Sequence, residues 1–158
     1  MDIRWSFVIL AVVAAVKCSE PGCDHGWFLY NDKCYSFSYD KATWNEAVDR
    51  CRKVDAHLAD IDDHGENEFI SEFVKDNFPA SNQYVYFGMS DRREEGKWVN
   101  EHTGGHPWYT NWNAGEPNGT PQDTQDCVAL IIASGKWDDV RCNNHFRYIC
   151  ERRVHRWA

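Results

Sequence analysis

Side chains that carry oxygen donors are concentrated in the second half of the 158-residue chain, between residues 91 and 139. They are the carboxylates and amides of Asp91, Glu95, Glu116, Asn118, Asp123, Gln125, Asp126, Asp138 and Asp139. Ca²⁺ binds about six to eight oxygen ligands, whereas zinc prefers histidine or cysteine. Acidic residues taken singly are more often solvated loop residues. Their grouping among glycine and proline turns nevertheless predicts a calcium site.

Residues that would support catalysis or nucleic-acid binding do not form a comparable group. The seven histidines are scattered, and no serine or cysteine stands in a nucleophile motif beside a base. The formal net charge of −8 argues against nucleic acid and against anionic lipid, because both attract basic surfaces. We therefore expect a binding protein that is not an enzyme and whose partners are neither nucleic acid nor membrane.

The N-terminal residues have the pattern of a secretory signal peptide. Residues 1–4 are a short polar start, and residues 5–16 are an unbroken run of twelve mainly apolar residues. A membrane-spanning helix needs about 20 such residues. Cleavage after Cys18 predicts secretion and three segments, namely a signal peptide over 1–18, a folded domain over 19–151 and a basic tail over 152–158. An earlier cut and an uncleaved membrane anchor are the alternatives.

The cysteine content fits an oxidising, extracellular compartment. Of seven cysteines, six would remain after this cleavage, an even number typical of three disulfides in a secreted domain. Counting alone leaves their pairing open. The chain has no Cys-x-x-Cys pair and no Cys/His spacing of a zinc site. If cleavage falls before Cys18, that thiol is left over and could join two chains, so homo-oligomerisation stays open.

Local patterns predict two helices in the first half of the domain. Thr43 and Glu46 form a capping box, and apolar residues then recur at helical spacing up to Cys51. Asp63 caps a second apolar-periodic segment, which stops near residues 77–79.

Short apolar segments predict strands before and after these helices. An aromatic hairpin turns at Asn31-Asp32, and a long loop rich in Gly, Asn, Pro and Trp covers residues 90–126. The other predicted strands cover 57–61, 85–89, 128–132, 136–138 and 147–150. A hairpin, two helices and then several strands define an α+β domain.

In their order along the chain, these residues resemble the long-form C-type lectin-like domain. The resemblance runs from Cys23 to Glu151. Within the family, the chain is similar to perlucin-like and mannose-binding members. It is carried by Thr43-Trp44, Glu46-Ala47, Cys51, His57-Leu58-Ala59, Glu68, Tyr86-Phe87-Gly88-Met89, Trp98, Asn111-Trp112, Glu116-Pro117-Asn118, Cys127, Gly135, Trp137-Asp138-Asp139, Cys142 and Ile149-Cys150-Glu151. No single piece is specific, but the ordered set with this cysteine spacing is.

The resemblance implies a C-type lectin fold, with two helices, small antiparallel sheets, a long calcium-binding loop region and bound Ca²⁺. It implies the disulfides Cys23–Cys34, Cys51–Cys150 and Cys127–Cys142. Calcium at the principal site would be held by Glu116, Asn118, Gln125, Asp138 and Asp139, with Pro117 in the cis form. A second, structural site would use Asp91, Glu95 and Asp126. The family's further acid is Gly119 here, and Asp123 is a candidate substitute.

The same resemblance implies a carbohydrate ligand. Glu116-Pro117-Asn118 matches the family's pattern for mannose, N-acetylglucosamine and fucose. Two sugar hydroxyls would complete the calcium coordination and would hydrogen-bond to Glu116, Asn118, Gln125 and Asp138. The second acid/amide pair is exchanged, because Gln125 and Asp138 stand where the family has Glu and Asn. A galactose-type site is therefore the alternative, although loop 119–126 has no aromatic residue on which galactose could stack.

Glycans on microbial or extracellular surfaces are the implied partners, as in innate immunity. Two other interpretations stay open: an acidic matrix or biomineralisation protein of the same fold, and a domain that binds protein without calcium. A glycosylation sequon, Asn118-Gly119-Thr120, lies on a predicted ligand, and Pro121 directly after it argues against modification. Trp98, Trp112 and Trp137 are assigned to the core. Trp108 and Tyr109 lie nearer the loop and are also assigned to the core, with contact to a bound sugar as the alternative.

Overall fold

A computed structural model describes residues 22–79, 83–120, 122 and 124–154 of the chain. Helices α1 (Trp44–Arg52) and α2 (His64–Asn77) confirm the two predicted helices. The strands are β1 (Phe28–Tyr30), β2 (Lys33–Phe37), β3 (His57–Leu58), β4 (Tyr84–Ser90), β5 (Val99–Asn100), β6 (Cys127–Ile131), β7 (Trp137–Val140) and β8 (Arg147–Arg153). The α+β class is confirmed.

The predicted signal peptide with Cys18, as well as Asp123, lies outside the described residues. No helix in the described ranges is long and apolar enough to cross a membrane.

Both helices begin at the residues that the capping patterns predict. At the start of α1, the Thr43 hydroxyl accepts a hydrogen bond from the Glu46 amide at 3.3 Å, and the Glu46 carboxylate accepts one from the Thr43 amide at 2.9 Å. At the start of α2, the Asp63 carboxylate accepts a hydrogen bond from the amide of Glu66 at 2.8 Å. Each cap satisfies backbone donors that have no partner inside the helix. Helix α2 ends before Pro79, because the residue that precedes a proline is driven into extended backbone.

The strands form one connected sheet in the order β1-β2-β8-β4-β6-β7. β8 is antiparallel to β2 and parallel to β4, so this strand lies between the first hairpin and the central strands. The two short strands are attached at the side, β3 on β8 and β5 on β4. β5 lies inside the segment that the sequence assigned to the long loop.

Strand β8 corrects the predicted start of the C-terminal tail. The sequence analysis placed Arg152 and Arg153 in a basic tail, but both residues continue β8 and pair with β2. Their guanidinium groups also contact the carboxylates of Asp24 and Asp32, respectively. The strand is longer than predicted because the N-terminal hairpin supplies both backbone and charged partners.

The apolar core lies on two faces of the sheet, one under each helix. Along β4 the side chains alternate: Phe87 joins the core that contains α2, and Tyr86 joins the core that contains α1. Gly88 follows them at a point where the chain has no room for a side chain. A Cβ there would lie 2.6 Å from the carbonyl oxygen of Leu58, and the Gly88 amide donates to the carbonyl oxygen of Ala59 at 2.8 Å. The glycine therefore allows β4 to approach the segment around β3 closely.

Three disulfides link distant parts of this sheet and confirm the pairings that the family resemblance implied. Cys23–Cys34, Cys51–Cys150 and Cys127–Cys142 have Cα–Cα distances of 5.6, 5.4 and 5.2 Å. The first closes the N-terminal hairpin, and the second ties α1 to β8. The third joins β6 to the segment after β7, next to the predicted principal calcium site.

Candidate calcium and carbohydrate site

Three of the five predicted principal ligands form a compact carboxylate cluster. Glu116, Asp138 and Asp139 each offer an oxygen, and these oxygens lie within 4.8 Å of one another. The long loop supplies Glu116, while β7 supplies the two aspartates. β7 extends through Val140, beyond the predicted strand, so both aspartates have regular strand backbone. This is the only such acidic group of three or more among the described residues.

Asp139 holds the loop that carries the other ligands. Its carboxylate, which is buried, accepts hydrogen bonds from the backbone amide of Asn118, at 3.0 Å, and from that of Gly119. A Cβ at position 119 would lie 2.7 Å from the Asp139 carboxylate, so a glycine permits this contact. The Glu116–Pro117 peptide bond is cis, as the resemblance implied. Loop and strand are therefore joined through the carboxylate that is also a predicted ligand.

The two predicted amide ligands lie next to each other at the edge of this cluster. The side-chain nitrogen of Gln125 donates to the side-chain oxygen of Asn118 at 3.0 Å. Through its backbone contact with Asp139, Asn118 connects this amide pair to the carboxylates. The structure thus arranges all five predicted residues of the principal site as one connected group.

Tyr84 is a member of this site that the sequence pattern did not predict. Its hydroxyl donates to one oxygen of the Asp138 carboxylate at 2.8 Å, and burial together with this contact raises the pKa of Tyr84 to about 12. Tyr86, Ala129 and Asp138 lie in register across β4, β6 and β7, which places Tyr84 on the same face. The register of neighbouring strands depends on residues far apart in sequence, so no local sequence pattern predicts the contact between Tyr84 and Asp138.

The electrostatics of the cluster fit a divalent cation. Burial, and then the adjacent carboxylates of Asp139 and Asp138, raise the pKa of Glu116 to about 7. Its Oε2 atom is buried and has no hydrogen-bond partner. Three carboxylates and two amides form an all-oxygen donor set of charge −3, the type that Ca²⁺ prefers over zinc. These residues are therefore suited to hold Ca²⁺, and the cation would offset their mutual repulsion.

The raised pKa of Glu116 predicts that calcium binding weakens in acid, because a proton and the cation compete for the same oxygens. Titration calorimetry at several pH values should show an affinity about ten-fold lower at pH 6 than at pH 8. In the calcium-free protein, folding stability changes with pH in the direction opposite to calcium affinity. The folded state binds this proton more tightly than the unfolded state, so stability falls as pH rises from the ordinary glutamate value through about 7. If calcium affinity or stability of the Glu116→Gln variant depended equally steeply on pH, the raised pKa could not belong to Glu116.

The predicted second site does not form a comparable cluster. Asp91, Glu95 and Asp126 are not among the acidic groups whose oxygens lie within 4.8 Å of one another in the described residues. The Asp91 amide donates to the backbone oxygen of Asp126 at 3.2 Å, and one Asp91 carboxylate oxygen accepts from the Gly96 amide at 2.8 Å. The other Asp91 oxygen is buried without a hydrogen-bond partner, and burial raises the pKa of this group. The second site stays a prediction.

The tryptophans around the site differ in their roles. Trp137 is fully buried, and Trp98 and Trp112 pack against the core with ring centroids 5.0 Å apart, in line with their predicted positions. Trp108 was predicted to be a core residue, and this is wrong, since it is 92% exposed. Its neighbour Tyr109, by contrast, packs edge-on against Trp137 with a centroid distance of 5.5 Å.

Comparison with known proteins agrees with this geometry. The model of the C-type lectin domain family matches residues 40–152. A perlucin-like protein of Mytilus galloprovincialis is 33% identical over 150 residues, which are 91% of this chain and 92% of that protein. The carbohydrate-recognition domain of the mouse scavenger receptor C-type lectin has a TM-score of 0.75 at 29% identity, over 86% of this chain and 100% of that domain.

A second solved structure is similar over the same region. The carbohydrate-recognition domain of cow CD23, determined in the presence of a GlcNAc2Man3 oligosaccharide, has a TM-score of 0.76 at 26% identity. The similarity covers 86% of this chain and 99% of that domain. The family match over most of the folded chain, the disulfide pattern and the loop-strand carboxylate cluster lead to one conclusion: this chain belongs to the C-type lectin domain family.

Proposed function

We propose that this protein is a secreted, calcium-dependent lectin that is not an enzyme and that binds sugars at the principal site. The observation that carries the proposal is the cluster of Glu116, Asp138 and Asp139 beside the paired amides of Asn118 and Gln125. The family is one of carbohydrate-binding domains, and the cow CD23 relative was solved in the presence of an oligosaccharide. The ligands that we assign are therefore calcium and a glycan with two adjacent hydroxyls.

The proposed mode of binding combines a metal with directional hydrogen bonds. Glu116, Asp138 and Asp139 would hold Ca²⁺, whose positive charge would attract two hydroxyl oxygens of a neutral sugar. The flanking carboxylates accept hydrogen bonds from those hydroxyls, and the flanking amides donate to them. Asp138 already accepts from Tyr84 through one oxygen, which leaves its other oxygen for the metal or the sugar. Tyr84 thus acts as a positioning residue for this ligand.

Mannose, N-acetylglucosamine and fucose are the sugars that we propose. The support is Glu116-Pro117-Asn118, together with the lack of an aromatic residue in loop 119–126 for galactose to stack on. The exchanged pair, Gln125 and Asp138, keeps galactose as the alternative. Single sites of this kind bind weakly, so recognition of a microbial surface in innate immunity would require several sites on one particle.

The test is binding of the secreted protein to a glycan array, with calcium and with EDTA. We expect a calcium-dependent signal on mannose- or fucose-type glycans. Signal on galactose alone would mean that the exchanged pair determines the specificity. A signal that survives EDTA, or no signal at high protein density, would contradict a calcium-dependent lectin.

The exchanged pair allows a direct test of specificity. The double variant Gln125→Glu/Asp138→Asn restores the family's usual order of acid and amide and keeps the charge of the site unchanged. We expect it to retain calcium and to favour mannose over galactose by about ten-fold more than the natural protein does, since each hydrogen bond to a charged group contributes about 1.5 kcal/mol or more. Competition of both proteins with the two monosaccharides measures this ratio. An unchanged ratio would mean that the exchange has no role in selectivity.

A second candidate function is a role in mineralised extracellular matrix. The net charge of −8 and the 33% identity with a perlucin-like protein favour it. Crystallisation assays with calcium carbonate distinguish the two proposals. Faster nucleation at low protein concentration, without any glycan binding, would favour the matrix role.

A further inference from the structure

A groove of about 650 Å³ lies apart from the predicted calcium ligands, between the chain after β3 and the loop after β5. It is lined by Asp60, Asp62, Asn100, Thr103, Pro107 and Trp108, among others. None of its lining residues belongs to the principal site or to the predicted second calcium site. Any ligand of this groove would therefore be recognised by other chemistry.

The loop that forms one wall of the groove is held in place by its own contacts. The Asn100 amide donates to the backbone oxygen of Gly105 at 2.9 Å, and the Gly104 amide donates to the backbone oxygen of Asn100 at 2.7 Å. Beside the groove, the rings of His57 and His102 stack with centroids 3.8 Å apart and nearly parallel planes. The wall is thus built before any ligand arrives, which lowers the entropic cost of binding.

Trp108 provides an aromatic face at the rim of this groove. It is 92% exposed, and it makes no ring contact with an aromatic residue or a cation of the described ranges. A single exposed tryptophan is not by itself a site. Here, however, the indole borders a polar groove that already contains a buried, unpaired acid.

Asp60 is that acid. The residue is only 6% exposed, and its Oδ1 atom is buried without a hydrogen-bond partner. The charged groups that act on it electrostatically are Glu151, Asp62, Glu66 and the ammonium of Lys33. Burial, and then the charges of Glu151 and Asp62, raise the pKa of Asp60 to about 8.

Lys33 does not pair with Asp60, because its ammonium group contacts other carboxylates. Its ammonium lies 2.9 Å from the carboxylates of Asp62 and Glu66 and 3.3 Å from that of Glu151. Three carboxylates, those of Asp62, Glu66 and Glu151, thus surround one ammonium group, and Asp60 is a fourth acid that forms no salt bridge with it. This region therefore holds more carboxyl groups than cations, and it opens into the groove at Asp60 and Asp62.

We infer that this groove binds an amino sugar with a free ammonium group, independently of calcium. The ammonium would pair with Asp60 and Asp62, and the apolar face of the sugar ring would stack on Trp108. Asn100 and Thr103 provide neutral polar groups that can hydrogen-bond to the ring hydroxyls of a sugar. The aliphatic stem of a lysine, the other common carrier of an ammonium group, would leave these polar groups unused. The site is separate from the proposed lectin site, so either can fail without the other.

The experiment measures calorimetric binding of glucosamine oligomers to the full chain in EDTA, at about 0.15 M salt to screen long-range attraction. N-acetylated oligomers of equal length have the same ring but no ammonium. We expect the free amine to bind at least about ten-fold more tightly. Trp108→Ala should weaken binding by about 5- to 30-fold, because it removes stacking and the cation–π contact. Asp60→Asn, which keeps the size of the side chain, should weaken binding at least as strongly.

Two variants serve as matched controls. Tyr39→Ala removes another highly exposed aromatic residue, and Asp139→Asn disables the predicted calcium site; both should bind the amino sugar as the natural protein does. Thermal melts establish that each variant is folded. The inference is overturned by equal binding of the N-acetylated oligomer, by an unchanged affinity in Trp108→Ala, by oligolysine of equal charge binding as tightly, or by no binding at millimolar ligand.

Discussion

Asp139→Asn is expected to lower calcium affinity by at least about 100-fold and to abolish calcium-dependent glycan binding. Loss of a residue that only orients a metal ligand costs about 10- to 100-fold, and Asp139 has both roles in our proposal. It is one of three clustered carboxylates, and it holds the backbone of Asn118 and Gly119. The substitution therefore removes a charge and loosens the loop that carries other ligands. Calorimetry with calcium, followed by binding to immobilised mannose, measures both effects.

Asp76→Asn is the matched control for this prediction. Asp76 lies on the exposed side of α2 and undergoes the same change of charge and size. It should leave calcium affinity within about two-fold of the natural protein, because surface charges are screened by water and salt. Equal losses in the two variants would mean that calcium binding depends on overall charge and not on the cluster.

Replacement of Cys51 and Cys150 by alanine is expected to cost about 4 kcal/mol of unfolding free energy. These cysteines are 99 residues apart in sequence, and a crosslink over about 100 residues stabilises a protein by about 4.7 kcal/mol in the chain-entropy account. The link also ties α1 to β8, the strand between the hairpin and the central strands. Urea denaturation monitored by tryptophan fluorescence gives the free energy.

The Cys127–Cys142 disulfide offers an internal comparison. It spans 15 residues, for which the same account predicts about 3 kcal/mol. The double alanine variant at these positions should therefore lose less stability than the variant at Cys51 and Cys150. An equal or larger loss would mean that local packing beside β7 outweighs the entropy of the unfolded chain.

Features with a local signal could be predicted well from the sequence. The starts of both helices follow from side chains within one turn, such as Thr43 with Glu46. The three disulfides and the cis form of Pro117 came from the ordered resemblance to a family, and the structure agrees with them. Counting cysteines could not have supplied that pairing.

Features that depend on contacts across the fold could not be predicted. Arg152 and Arg153 extend β8 only because the N-terminal hairpin lies beside them. Tyr84 reaches Asp138 through the registry of three strands, and Asp60 becomes an unpaired acid because Lys33 contacts other carboxylates. Trp108 has the same residue type as its buried neighbours, and only the course of the loop distinguishes it.

The disulfide between α1 and β8 also affects how the protein would survive proteolysis. Lys97 is an exposed residue of the long loop. Cys51 precedes it in the sequence and Cys150 follows it, and a disulfide joins these two cysteines. A single tryptic cut after Lys97 would leave two fragments that stay covalently joined, and the other two disulfides would each remain within one fragment. The nick would appear on a gel only after reduction. In a protease-rich extracellular fluid, such a nicked molecule would keep its two halves together.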